Sequence, residues 1–395
     1  MPVASDPSMR IVHVLDGIGV GGAEFVLLNL VRGLQAEGHH NTVISLTTPS
    51  HMRTELKAAG AAVLSLDMSR GRLALSDAIR VRDAIRRASP DLIQGWMYHG
   101  NAAAALGRLL AVHACPLVWS IHNTLEPAPD YRLLTRLAMR GGALFSGLCG
   151  AIVYVSAASA RQHEQRGYRA DRTAVISNGI DVGRFRPDER ARHLVRVALG
   201  LDASTPLVGC FARWDPMKGH DRLLRALACQ SASKRMPPHL VLAGSGIDKD
   251  NAALLAMIEE AGLRGRVSLL GARSDVPQLM NALDLFVLPS IWGEAFPLVL
   301  GEAMATGVPS IATDIGDCGL LLGDHGLLVP PGDDPALASA IDAVFSLGPA
   351  ERVELGARAR ARVIEQFSLS SMIERYASLY GRLVRQPQGT PQWAA

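Results

Sequence analysis

Cysteine is scarce in this chain and scattered: Cys115, Cys149, Cys210, Cys229 and Cys318 show no C-x-x-C spacing. That argues against a zinc site or a disulfide framework and fits a reducing cytosol. Charge is sparse as well. Charged residues are 19% of the total and the net charge is +3, too little to point to nucleic acid. With apolar residues at 48%, the composition is globular rather than disordered. Long apolar runs are also missing. The one long stretch, Ala143 to Ala160, is broken by Ser and Gly and reads as a helix end followed by a strand, so no membrane span is expected. Near the N-terminus the run Ile11 to Leu15 stops at Asp16, which does not read as a signal peptide. No repeat of solenoid period occurs.

What remains is a regular alternation of short β-rich runs with helical patterns. Expected strands are 11–15, 42–46, 62–66, 92–94, 117–121, 151–155 and 173–176, with helices such as 23–36 and 76–88 between them. A second set follows at 207–211, 240–243, 267–269, 285–288, 310–312 and 326–329. Such alternation predicts an α/β protein with two doubly wound, Rossmann-like domains of parallel strands. The expected domains are residues 1–183 and 184–369, with a helix at about 370–385 packing back on the first and a disordered tail at 386–395. Ligands of such sheets bind at the carboxyl ends of the strands, which puts the expected site in a cleft that the two domains face. The first half is mildly basic: through Phe185 there are 19 basic and 14 acidic residues, against 21 and 23 afterwards. Ordinary surface sampling or an anionic partner both account for that.

Four stretches carry chemistry. Glu294 and Glu302 lie eight positions apart around a loop-to-helix junction, with Pro297 expected at the first helical position and Gly307 just past the end. Free amides at such a helix start hold anions, and carboxylates beside them accept hydrogen bonds from sugar hydroxyls. Arg213 and Lys218 follow the end of the 207–211 strand, where two cations neutralise a diphosphate; a solvated surface pair is the alternative. Gly17, Gly19 and Gly22 form a G-x-G-x-x-G after the first strand, but the second strand ends Leu46-Thr47-Thr48 without the carboxylate a dinucleotide ribose needs. The glycines then either admit a ligand close to the backbone or only make a tight turn. His122, next to Asn123, and His99 follow strand ends in the first domain, where a His orients a hydroxyl, steers a proton or is merely structural.

In order and spacing, these stretches resemble family 4 of the retaining glycosyltransferases (GT4), which have the GT-B arrangement of two Rossmann-like domains. The resemblance spans roughly residues 10 to 385 and rests on Gly19-Val20-Gly21-Gly22-Ala23-Glu24, His122, Asn178-Gly179-Ile180-Asp181, Arg213 with Lys218, Ala243-Gly244-Ser245-Gly246, and the E-x7-E pair Glu294 and Glu302. Trp96 to His99 and Ser120 to Asn123 resemble bacterial exopolysaccharide and O-antigen members.

The resemblance implies an enzyme moving a sugar from a nucleotide-diphosphate sugar, a UDP-sugar first among them, to an acceptor hydroxyl with retained configuration. Arg213 and Lys218 would hold the diphosphate and Glu302 the ribose. Glu294, with the segment Ala295, Phe296, Pro297 and Leu298, would hold the sugar and phosphates. Gly21 and Gly22 would approach the diphosphate, His122 would lie beside the reacting carbon, and His99 and Asn123 would face the acceptor. No metal is expected; Asp248-Lys249-Asp250 has Asp-x-Asp spacing but reads as surface. A lipid-linked acceptor would put a cytoplasmic enzyme on the inner face of the membrane. Arg132, Arg136 and Arg140, with Leu133, Leu134 and Leu137 nearby, form a stripe that suits either an interfacial helix or an ordinary surface helix. A sugar-nucleotide epimerase of the same architecture and a non-catalytic binding subunit are the alternatives.

Overall fold

The computed structural model describes residues 7–18, 22–48, 52–68, 75–112, 114–125, 133–232 and 237–385. The chain divides into two compact units, Met1–Gly179 with Leu369–Ala395, and Ile180–Ser368. The tail 386–395 lies outside the described residues.

The first unit holds a seven-stranded parallel sheet: β1 (Arg10–Leu15), β2 (His40–Ser45), β3 (Ala62–Ser65), β4 (Leu92–Trp96), β5 (Leu117–Ile121), β6 (Ala151–Tyr154) and β7 (Thr173–Val175), in the order β3-β2-β1-β4-β5-β6-β7. Its central strands are covered on both faces, so they are continuous apolar runs rather than alternating ones; all of β4 and β5 is buried. The polar exceptions are partnered, apart from the buried Gln94 Nε2. His13 lies against Asn41, and Gln94 accepts a hydrogen bond from the Tyr380 hydroxyl.

Tyr380 comes from the helix Leu369–Arg385, which belongs to the first unit although it ends the described chain. Met372, Tyr376, Leu379, Tyr380 and Leu383 recur at three- and four-residue spacing and make one buried face in the core that holds Leu30 and Leu34. Each large side chain so buried stabilises by about 1.5–3 kcal/mol. Close approach is possible because Gly33 lacks a Cβ, which would collide with Ile373.

The second unit repeats the plan with six parallel strands, β8 (Leu207–Phe211), β9 (His239–Ala243), β10 (Val267–Leu269), β11 (Leu285–Leu288), β12 (Ser310–Thr313) and β13 (Leu327–Val329), in the order β10-β9-β8-β11-β12-β13. All thirteen strands lie where the sequence pattern puts them, with ends shifted by at most two residues. In both sheets the strand order reverses once, between β1 and β4 and between β8 and β11. Crevices open at the carboxyl ends of strands flanking such a reversal.

Candidate active site

In the second unit the loops after β8 and β11 are joined to each other. Asp215 caps the short 3-10 turn Pro216–Lys218, its Oδ1 accepting the Met217 amide at 3.0 Å. Gly219 follows at φ 63°, and a Cβ there would stand 2.0 Å from the Pro289 carbonyl oxygen. The Ile291 amide donates to the Met217 carbonyl at 2.7 Å. This contact brings Lys218 to Glu294: Nζ stands 2.5 Å from Oε1, with both side chains largely buried. The Ser290 hydroxyl donates to the same Oε1 at 2.7 Å. Arg213 is exposed and turned to Asp215, donating from Nη2 to Oδ2 at 2.9 Å and to the Met217 sulfur at 3.3 Å.

The loop after β9 completes this edge. Gly244 has no room for a Cβ against the Ala212 carbonyl, and the Trp214 amide donates to the Ser245 carbonyl at 2.7 Å. Asp248 and Asp250 lie beyond this turn, with the Asp250 amide donating to Asp248.

Beyond Glu294 the chain enters the helix Leu298–Ala305. Pro297 is its extended N-cap rather than its first helical residue, since the helix begins one position later than expected. The Leu298 and Val299 amides have no acceptor within the helix, whereas the Leu300 amide donates to the Pro297 carbonyl at 3.1 Å. Glu302 is inside the helix and half-buried. Burial pushes its carboxyl up to about 7, against the pull of Arg184. Gly307 sits past the end at φ 81°.

The first unit builds its edge differently. β4 ends at Trp96, and the next residue, Met97, takes φ 57°, a conformation disfavoured for a side chain of its size, before the helix Met97–Ala111. His99 therefore lies in the first turn of a helix, and it is exposed. His122 follows β5; its ring stacks on Trp96 at 5.2 Å and 14°, and its Nε2 is 2.7 Å from the Ser120 hydroxyl. Burial pushes the imidazole down to about 4, against the opposing influence of the Asn178 side chain. Trp96 in turn donates its indole N–H to His13 Nδ1 at 3.3 Å, which leaves the His13 Nε2 proton to Asn41.

A cavity of about 500 Å³ opens beside Trp96, lined among others by Asp16, Glu24, Thr48, Tyr98, His99 and Asn123. His99 and Asn123 thus share one cavity. Tyr98 joins them from a buried cluster: its hydroxyl is 2.8 Å from His163 Nε2, and His163 Nδ1 lies 2.8 Å from the Ser159 carbonyl, so the ring donates to Ser159 and accepts from Tyr98. Gly22 opens the helix Gly22–Ala36 and is exposed; Gly21 lies outside the described residues.

Of the arginine stripe, Arg136 and Arg140 are exposed on the helix Leu133–Phe145, beside exposed Leu137, Leu144 and Phe145; Arg132 lies outside the described residues, as do the side chains of Leu133 and Leu134. Among the described residues, no helix is long and apolar enough to cross a membrane.

Sequence reasoning missed Ser290, Asp215, Tyr98 and His163. Asp215-Pro216 was readable as a cap followed by a helix-opening proline. The other three carry no local signal, since their partners are set by packing.

Comparison with known proteins places the chain by family and fold. A model of glycosyltransferase family 4 matches residues 20–184, and one of the glycosyl transferases group 1 matches residues 205–346. The lipopolysaccharide core biosynthesis mannosyltransferase LpsB of Rhizobium meliloti (strain 1021) is 29% identical over 291 residues, 68% of this chain and 80% of that protein. EpsF of Bacillus subtilis (strain 168), named as a glycosyltransferase, is 26% identical over 311 residues, 77% of this chain and 79% of its own length. Among solved structures, HepE of Anabaena in complex with UDP matches with a TM-score of 0.80 at 27% identity, over 94% of this chain and 99% of that one. The same protein with UDP-glucose matches at 0.77, over 94% and 98%.

Proposed function

The chain belongs to the family 4 glycosyltransferases, and from that premise we propose that it transfers the sugar of a UDP-sugar to a hydroxyl of a cell-surface glycan precursor, with retention of configuration. The observation that carries this reading is the second unit's strand-end cluster. Lys218 and Ser290 both donate to one oxygen of Glu294, and four residues on begins the helix Leu298–Ala305, which carries a second carboxylate, Glu302. A cation, free amides and two carboxylates are what a sugar diphosphate and a ribose require.

In this reading Lys218 and Arg213 hold the diphosphate, Arg213 by turning from Asp215, which an exposed side chain does at little cost. The amides of Phe296 and Leu298, on either side of Pro297, which has no N–H to give, add positive potential. Glu294 accepts from the transferred sugar and Glu302 from the ribose. UDP is the favoured nucleotide because HepE is described with UDP and UDP-glucose. As the glycosidic bond to phosphate breaks, Lys218 and Arg213 stabilise the departing charge. The leaving phosphate oxygen takes the acceptor proton on the same face, which accounts for retention without a protein nucleophile.

The first unit serves the acceptor. Gly21 and Gly22 give close backbone approach to the donor phosphates, and His122, neutral at physiological pH, orients a sugar hydroxyl rather than transferring a proton. His99 and Asn123 face the acceptor in their shared cavity. A lipid-linked acceptor suits the exposed Arg136, Arg140, Leu137, Leu144 and Phe145, which together match the inner, anionic face of a membrane.

Product analysis tests the reading. Incubation with UDP-glucose and a glycan acceptor should release UDP together with a new glycoside, unaffected by a chelator. Recovery of an epimerised nucleotide-sugar, or no turnover with any UDP-, GDP- or ADP-sugar, would overturn it.

A further inference from the structure

Glu294 is buried to 7% exposure, and both of its hydrogen bonds fall on one oxygen. Lys218 Nζ and the Ser290 hydroxyl occupy Oε1, which leaves Oε2 to meet a ligand. Ser290 is itself fully buried, and its carbonyl is pinned by the Thr313 hydroxyl at 2.6 Å. The opposite side of the Glu294 backbone is closed by Gly316, where a Cβ would stand 2.1 Å from the Glu294 carbonyl oxygen. That contact fixes the backbone at Glu294, and the carboxylate is held at Oε1 by two donors arriving from different loops, one after β8 and one from its own.

We infer that Ser290 is a positioning residue: it holds Oε1 so that Oε2 alone is presented to the hydroxyls of the transferred sugar. The inference rests on the donor-binding reading of the second unit. Lys218 could hold Oε1 unaided only while it is not engaged elsewhere. Once a diphosphate draws on the Lys218 ammonium, the Ser290 hydroxyl is the donor that keeps the carboxylate in place. Preorganisation of this kind favours the sugar and leaves the nucleotide untouched, because the hydroxyl reaches the ligand only through Glu294. Ser290 thus tunes the preference for a sugar nucleotide over the matching nucleoside diphosphate.

The test uses the full chain and calorimetric titration with two pairs, UDP and UDP-glucose, and GDP and GDP-mannose, reading whichever pair the wild type binds. Ser290→Ala should weaken the sugar nucleotide at least fivefold and leave the nucleoside diphosphate within twofold. In a Glu294→Gln background, the same substitution should change sugar-nucleotide affinity less than twofold. Equal loss for both ligands, no loss for either, or an undiminished effect in the Glu294→Gln background overturns the positioning role. Should Glu294→Gln itself leave the sugar preference intact, the donor reading fails and the inference with it. Binding by Ser290→Thr within threefold of wild type would support the hydroxyl as the operative group, and the nucleoside diphosphate titration serves as the folding control for every variant.

Discussion

At the reversal point of the first sheet, β4 turns at a left-handed Met97 and surrounds His122 with Trp96, Ser120 and Asn178. At the corresponding point of the second sheet, β11 runs into a loop that surrounds Glu294 with Lys218 and Ser290. The backbone plan is the same, and the chemistry differs. The first edge is built from rings and neutral hydrogen bonds, its imidazole held uncharged by burial. The second is built around a buried ion pair and a carboxyl raised toward neutrality. A parallel sheet fixes where a site opens and leaves its polarity to the loop residues. One chain therefore carries a ring-built strand edge on one unit and an edge built on an ion pair on the other.

The comparison breaks most visibly at Lys218. Lys218→Ala leaves Glu294 buried without its cation, a change that costs about 3–5 kcal/mol in comparable pairs. Denaturant unfolding should register most of that loss. Turnover should fall at least tenfold, which corresponds to about 1.4 kcal/mol of transition-state stabilisation. Wild-type turnover in this variant would end the assignment of charge to the second edge.

A smaller effect comes from pH. The Glu302 carboxyl, raised to about 7 by burial, must be ionised to accept two ribose hydroxyls. Donor affinity should therefore rise with pH up to about 7 and level off above it, by at most roughly tenfold per unit for one proton. Stability should move the other way: the folded state holds this proton more tightly than the unfolded chain, so the contribution is full below the ordinary carboxyl range and lost as pH rises through about 7. Glu302→Gln should flatten both curves. His122, held near 4, should add no inflection between pH 5 and 8; one that vanishes in His122→Ala would contradict the neutral character of the first edge.

Trp96→Phe tests that first edge more gently. The stack on His122 survives, while the lost hydrogen bond to His13 and the cavity left by the smaller ring together cost about 2–3 kcal/mol of stability and little turnover. A tenfold fall in turnover would mean that the hydrogen bond to His13, and not the ring stack alone, sets this edge.

Much of this was legible in the chain. The central strands stand out because strands covered on both faces are nearly continuous apolar runs, and Gly307 and Pro309 end the Glu302 helix for local reasons. Pro297 reads as the first helical residue but is the N-cap, because its fixed φ fits both positions and only its extended ψ of 97° separates them. His99 reads as a residue just past a strand; the helix begins sooner, at Met97, which takes a left-handed conformation that local preference disfavours.

By itself, the sequence determined two doubly wound sheets, their strand ends, and the residues Arg213, Lys218, Glu294 and Glu302 as the charged inventory of one edge. These follow from periodicity, turn chemistry and side-chain type, all local properties. Only the tertiary structure decided that Lys218 and Ser290 share one oxygen of Glu294, that Arg213 is turned to Asp215, and that His122 lies neutral beneath Trp96. Those pairings join residues up to 76 positions apart, and which donor reaches which acceptor is settled by the close contact of Gly219 with Pro289 and of Gly316 with Glu294.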